Sequence, residues 1–416
     1  MTRYRDRRDF VASITLVIIA TLYHLYFARD FWRYPIHLGG DAVHYDHSAV
    51  VLLLKHVYTY WSWGPAAQVT PGYPLFLEFA YWITLITSHN HQVQMHVATT
   101  IQHLLAAATV FGLYRIMRYF LPIWASFVGA VLWLIYPPAT WAADQLLTET
   151  LYVFFLVWFT WSFLFALQNR SFWRFVLAGV MLALTTLVRP SIMPLVVAPL
   201  VLLLERQDWP NREALRTKLT NWLGYLAAFI VCMLPWWVRN VRVMHHFTLT
   251  DDDMGNPLLF GSDPNFQHDT NLASGLTPGQ QEQLAIHRII EGFTQHPLVY
   301  LKWYTIDKLG LLFGTPWYMS TPGYDPTILT RITFGYAQIH LVWVILGAVG
   351  LILGFWRPRM RWVSAMAVFL VVVQLPFIPI NRYVFPNMPF MFIGVMILVD
   401  LAVKLIRNRR ATVPNG

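Results

Sequence analysis

Long apolar runs separated by short basic breaks set the pattern of this chain. Runs near the length of a membrane crossing fall at 10–28, 94–116, 121–136, 146–167, 172–188, 191–205, 220–238, 336–355, 362–378 and 384–404; about 20 apolar residues suffice to cross. A backbone in lipid must satisfy its own hydrogen bonds, so such runs predict helices, about ten of them, in an all-α polytopic protein. Two segments, 29–93 and 239–335, are too long to be mere connections. In the first, 42–60 interleaves apolar residues with His, Lys and Tyr, which predicts an amphipathic helix lying along the interface. Residues 72–87 follow the turn Pro71-Gly72-Tyr73-Pro74 and carry Glu78, and predict a second interfacial or half-inserted helix, with a full span as the alternative. In the second segment, 251–279 has loop-like composition, 280–295 predicts a helix, and 298–312 is amphipathic.

Composition supports lipid as the solvent. Of 416 residues, 56% are apolar and 12% charged, with a mean hydropathy of +0.46. A soluble domain carries roughly 25% charged residues. Disorder is excluded by the same figures. The single cysteine, Cys232, rules out an intrachain disulfide scaffold and a cysteine-based metal site. The net charge of +9 does not point to nucleic acid, because nineteen of the 30 Lys and Arg sit at the N-terminus, the C-terminus and four short breaks. That is the signature of cytoplasmic loops, so both termini are expected in the cytoplasm and the two long segments outside. Arg3, Arg5, Arg7 and Arg8 before the first run resemble a signal peptide, but the run is long and lacks a small-residue cleavage pattern, so it is expected to stay as a span. No separate soluble domain is expected: residues 1–416 form one membrane domain, with 29–93 catalytic and 239–335 covering the substrate.

Ionisable groups at a membrane face are costly unless they act. Five clusters fall on the predicted outer side: Asp41 to Asp46, with His44 and Tyr45; Asp144 with Glu149; Arg189-Pro190; Arg239 and Arg242 with Asp251-Asp252-Asp253; and Asn381-Arg382-Tyr383. Carboxylates and guanidiniums on one face suit a reaction that needs a base and a clamp for a charged phosphate.

The ordered motifs are Asp41-x-x-x-Tyr45-x-x-x-Ala49, Pro71-Gly72-Tyr73-Pro74, Thr148-Glu149-Thr150-Leu151, Arg189-Pro190, Pro235-Trp236-Trp237-Val238-Arg239-Asn240, Gly255 to Gly261, and Arg382-Tyr383 with Pro386. Together they resemble the GT-C membrane glycosyltransferases, and within that class the branch of protein O-mannosyltransferases and lipid A aminoarabinose transferases. The resemblance implies the GT-C fold and transfer of a sugar from a polyprenyl-phosphate donor to an acceptor hydroxyl, on a glycan, lipid or protein, at the outer face of a bacterial cytoplasmic membrane. It implies Asp41 as catalytic base, with inversion at the anomeric carbon and no metal or other cofactor. Arg189, Arg239, Arg242 and Arg382, with Lys55 behind them, are the candidate ligands of the donor phosphate. Tyr45, Asp46, Glu149 and Tyr383 are candidates for substrate contact. The sequence departs from the branch ahead of the Pro71 turn, where relatives often carry Lys or Arg and this chain has Val69-Thr70.

Each candidate also has a plainer explanation. Asp41 suits an N-cap, Asp46 is a second candidate base or a solvated face residue, and Glu149 suits a structural pair with Arg189 or Arg382. Asp251-Asp252-Asp253 suits either a cation or a solvated turn. The histidines crowding the first third have no metal-ligand spacing. A transporter or flippase of a lipid-linked or anionic substrate is the rival function. It fits charged helix ends, but not the gathering of charges at one face without repeated halves. Neither the sugar nor the acceptor is legible.

Overall fold

The computed structural model describes residues 7–204, 211–252, 255–266, 273–318 and 335–412, with side chains to 408. Arg3, Arg5, Arg206 and Asp253 lie outside the described residues, as do the side chains of Arg409 and Arg410. The chain is an all-α integral membrane protein.

Helix α1 (Arg7–Phe31) leads into two short helices, α2 (Asp41–Lys55) and α3 (Gly72–Thr84). There follow α4 (His91–Met117), α5 (Ile123–Leu134), α6 (Pro137–Asp144), α7 (Glu149–Asn169) and α8 (Phe172–Val188). A 3₁₀ segment, Pro190–Leu204, precedes α9 (Arg212–Met244). The second long segment, 239–335, holds α10 (Gly255–Gly261), α11 (Pro278–Gln295), α12 (Pro297–Lys302), a π turn over Trp303–Asp307, and α13 (Lys308–Phe313). The chain closes with α14 (His340–Phe355), α15 (Arg361–Val372), the single turn α16 (Asn381–Val384) and α17 (Met388–Thr412).

Each of the ten predicted runs holds helix, but ten full spans are not reproduced. Among the described residues five helical stretches are long and apolar enough to cross: Arg7–Phe31, His91–Met117, Glu149–Asn169, Arg212–Met244 and Asn381–Asn408. A sixth crossing results if α5 and α6, bent by 50°, count as one. The run at 191–205 winds as 3₁₀ because Pro194 and Pro199 remove backbone donors that an α-helix needs. The 121–136 run stops at Pro137-Pro138, which open α6. Helix starts elsewhere follow capping chemistry: Asn90 caps α4, Asn211 caps α9, and Thr277 with Gln280 forms a capping box on α11. Helices form in both stretches expected to hold them, α2 ending at Lys55 rather than near 60 and α3 being a 13-residue helix too short to cross. Helix α10 forms inside a stretch expected as loop.

Helix α4 is the hub, packing on α1, α3, α5, α6 and α7; α7, α8 and α9 continue the row, and α14 and α17 pack tightly against each other beside α5. Buried polar pairs fix the alignment. Arg118 donates to Asp9 at 2.7 Å, joining the end of α4 to the start of α1. Deeper in, His24 and His103 meet at 3.1 Å between ring nitrogens, and His103 bonds Asp144 at 2.8 Å. These side chains are fully or nearly fully buried. Buried polar groups that find partners make the helix register specific.

Candidate active site

At the opposite end from the Asp9–Arg118 pair, four chain regions bring their charged groups together. Glu149 is the first residue of α7 and has no exposed surface. Its carboxylate accepts from the guanidiniums of both Arg189 and Arg382. A buried carboxylate is tolerable only when paired in this way. Arg189 ends α8 in an extended conformation and also donates to Thr148 at 2.8 Å. Arg382 reaches further: its Nη1 donates to Asp41 Oδ2 at 2.6 Å while its Nη2 lies 3.3 Å from Glu149. One guanidinium thus bridges the two acids. Asp41 is the opposite of Glu149 in setting, with 45% of its side chain exposed. The N-cap of α2 is Gly40 and no side chain caps it, so capping does not account for Asp41.

The local sequence explains the convergence. Gly72 lets the start of α3 lie directly on the end of α8, since a Cβ there would come within 2.5 Å of the Leu187 carbonyl oxygen. Thr70 adds a bond to the Val188 carbonyl at 3.3 Å, one residue before Arg189. Tyr73 donates to Gln102 at 2.8 Å, and the Gln102 amide donates to the carbonyls of Ala143 and Gln145 at 2.9 and 2.8 Å, holding the turn that leads into Glu149. The Pro71-Gly72-Tyr73-Pro74 motif is therefore a packing device that sets both Arg189 and Glu149. Tyr45 packs edge-on against Tyr73, with ring centroids 5.1 Å apart. Burial pushes its hydroxyl well above the usual phenol range, with Arg382 pulling it down and Asp41 pushing it up. Tyr60 is likewise raised, first by burial and then by Tyr45 and Asp41. Beside the charges the site thus has neutral hydroxyls. Tyr383 follows Arg382 and is half-buried.

The other candidates lie elsewhere. Arg239 donates to the carbonyls of Ala66 and Tyr58 at 2.6 and 2.9 Å and to Asn240 at 2.9 Å, fastening the loop after α2. Arg242 is exposed in the last turn of α9. Lys55 sits over the Trp63 ring at 4.2 Å. Asp46 accepts from the Tyr81 hydroxyl at 2.6 Å and bonds His91 at 3.0 Å, which ties α2 to α3 and α4. Asp252 bonds His246 at 3.1 Å and Thr248 at 3.0 Å, and its backbone donates to the Ala67 carbonyl. Hydrogen bonding to Asp252 raises the pKa of His246. Among the described residues no three His, Cys, Asp or Glu side chains gather into a cation site. Thr148 stood in the Thr148-Glu149-Thr150-Leu151 motif without an assigned role, and Gln102 and Tyr60 are parts of the site that lie in none of the quoted motifs and carry no local signal.

Comparison of the coordinates with solved structures decides the fold. An oligosaccharyltransferase from Archaeoglobus fulgidus, in complex with Zn and sulfate, aligns with 95% of this chain and 50% of its own at 14% identity and a TM-score of 0.55. The fold is GT-C. The A. fulgidus enzyme AglB, in complex with an inhibitory peptide and a dolichol-phosphate, shares that GT-C fold over 97% of this chain and 52% of its own, at 12% identity and a TM-score of 0.51. ArnT from Cupriavidus metallidurans in the apo state aligns over 94% of this chain and 78% of its own at 13% identity, with a TM-score of 0.40. The chain spans about half the length of the archaeal structures. Residues 71–237 match the family described as dolichyl-phosphate-mannose-protein mannosyltransferase. That stretch runs from the Pro71-Gly72 turn to Trp237, and so holds Glu149 and Arg189 but neither Asp41 nor Arg382. Comparison with curated protein sequences gives no match.

Proposed function

We propose that this chain is a glycosyltransferase that moves a sugar from a polyprenyl-phosphate donor to an acceptor hydroxyl at the outer membrane face. The observation that carries the reading is the Asp41–Arg382–Glu149–Arg189 cluster: a half-exposed carboxylate beside two guanidiniums whose charge Glu149 only partly offsets. Asp41 is the general base, taking the proton from the acceptor hydroxyl as its oxygen attacks the anomeric carbon. Arg382 and Arg189 face the leaving phosphate, whose negative charge grows as the glycosidic bond breaks. One base and a good leaving group suffice for a single displacement, so the product is inverted. No metal is assigned, because Arg382 stands between the two acids where a shared cation would sit. Arg239, Arg242 and Lys55 remain candidate donor ligands only if the loop after α2 rearranges on binding. Tyr45, Asp46 and Tyr383 are proposed at the substrate rim. Segment 29–93 is proposed as catalytic and 239–335 as the cover, within a single domain. The matched mannosyltransferase family and the dolichol-phosphate in the AglB structure support a lipid-linked donor.

The test is transfer or hydrolysis of a radiolabelled polyprenyl-phosphate sugar by purified protein, with EDTA present in a parallel arm. Asp41→Asn should keep donor binding and lower turnover by roughly 10²–10⁴-fold. Near-normal turnover in that variant would remove Asp41 from the mechanism. A product of retained configuration would replace the single displacement by a covalent route.

A further inference from the structure

Lys308, on α13 of the second long segment, has no exposed surface and forms no salt bridge among the described residues. Its ammonium instead donates to three consecutive carbonyls, those of Leu375 at 2.5 Å, Pro376 at 3.4 Å and Phe377 at 3.0 Å. The rings of Tyr304 and Trp303 cover it, their centroids 4.0 and 5.4 Å from Nζ. Burial pulls its pKa down to about 7, while the three oxygens and two ring faces favour the charged form. An ammonium buried without a carboxylate costs several kcal/mol in general, and a methionine would fill the same volume at no such cost. What the cation adds is the gathering of three oxygens that otherwise repel one another.

Those oxygens open the strap that leads to the active site. It runs from Leu375 to Ile380, and Asn381-Arg382 follow directly. The second long segment grips the strap at every stage. Lys308 holds its start; the Ile378 amide donates to the Pro257 carbonyl at 2.8 Å in its middle; Asn381 donates to Thr315 and to the Pro316 carbonyl at 3.2 Å each at its end. Gly261 packs against the backbone of Pro376 and Phe377, and its carbonyl accepts from Trp303, one of the rings over Lys308.

We propose that Lys308 is a positioning residue: by collecting the Leu375, Pro376 and Phe377 carbonyls it fixes the strap that sets Arg382 between Asp41 and Glu149. The kinetic consequence rests on the transfer reading above; the structural one does not. Two variants of the full chain separate them, Lys308→Met, which keeps volume and removes the donors, and Lys308→Arg, which keeps donors and charge. Amide hydrogen exchange read on peptides spanning 375–384 should rise in Lys308→Met by on the order of tenfold, with the α4 and α7 peptides unchanged, and return most of the way in Lys308→Arg. In the transfer assay Lys308→Met should lower kcat about tenfold with the donor KM within about twofold, because Arg382 is misplaced against a phosphate charge that grows only as the bond breaks, while Arg189 and Glu149 keep the ground-state contact with the donor. Wild-type exchange at 375–384 in Lys308→Met overturns the proposal. So does a raised exchange with unchanged kcat per folded molecule, which would leave Lys308 as a merely structural anchor. If the wild type transfers no sugar from any donor tried, the transfer reading falls, and the exchange result alone decides whether Lys308 holds the strap.

Discussion

Two carboxylates of one cluster are built for different work, and substitution separates them. Asp41 is half-exposed and bonds only Arg382 among the described partners, whereas Glu149 is wholly buried between two guanidiniums. Asp41→Asn is therefore expected to change stability by no more than about 1 kcal/mol while turnover collapses. Glu149→Gln leaves two partly buried arginines facing a fully buried amide and should lower stability by roughly 3 kcal/mol. Thermal unfolding beside the transfer assay checks both. A second residue-scale test concerns pH. His246 is exposed, and its pKa is raised by the bond to Asp252. Its contribution is thus full below the ordinary histidine pKa and is lost as pH rises through the raised value. Melting temperatures of wild type and His246→Gln should differ at about pH 5.5 and converge by about pH 8.5, above the window set by that shift. A constant difference across that range would assign the loss to packing rather than to the ion pair. The types and order of the site residues were legible in the sequence; their pairing was not. Nothing in the spacing of Asp41, Glu149, Arg189 and Arg382 says that one guanidinium bridges two acids more than 200 positions from it.

At the scale of elements, close backbone approach does what hydrophobicity cannot do in lipid, where apolar side chains gain little by leaving the membrane. Helices α14 and α17 meet at Gly350 and Gly394, where a Cβ on Gly350 would lie 1.8 Å from the Gly394 carbonyl oxygen. Gly350→Leu should push the two helices apart and cost about 3 kcal/mol or more. Detergent melting of the variant measures this; a melting temperature within a degree of wild type would show that α17 moves freely. The consequence reaches the site, because α17 follows directly from the turn carrying Arg382. Hydropathy located these helices but not their lengths. Pro194 and Pro199 turned one predicted span into a 3₁₀ segment, and Pro137-Pro138 bent another, both through missing donors rather than missing apolarity.

For the whole molecule, the charge pattern along the chain and the arrangement of its helices agree on two distinct ends. Arg118 and Asp9 pair at one; Asp41, Glu149, Arg189 and Arg382 gather at the other. If the basic breaks are cytoplasmic, the cluster faces outward, which is the face the proposed transfer requires. Single cysteines at Ser62 and Ser274, both exposed, placed in a Cys232-free chain, should label with an impermeant reagent from outside intact cells. Labelling only after the cytoplasmic side is opened would invert the orientation and with it the proposed reaction face.

The sequence by itself determined the class of this protein: an all-α membrane chain with two long segments between its apolar runs, and a small set of acids and arginines at the ends of those runs. Composition and period carry that information locally, since an apolar run in lipid has helix as its only economical backbone. Tertiary structure decided the rest. It chose which arginines meet which acids, gave Arg239 to a loop and Arg382 to the cluster, and set Lys308 over the strap. Those choices depend on contacts between residues tens to hundreds of positions apart. A guanidinium or an ammonium bonds whichever oxygens the packed helices bring to it, and that proximity is a property of the fold, not of any stretch of chain.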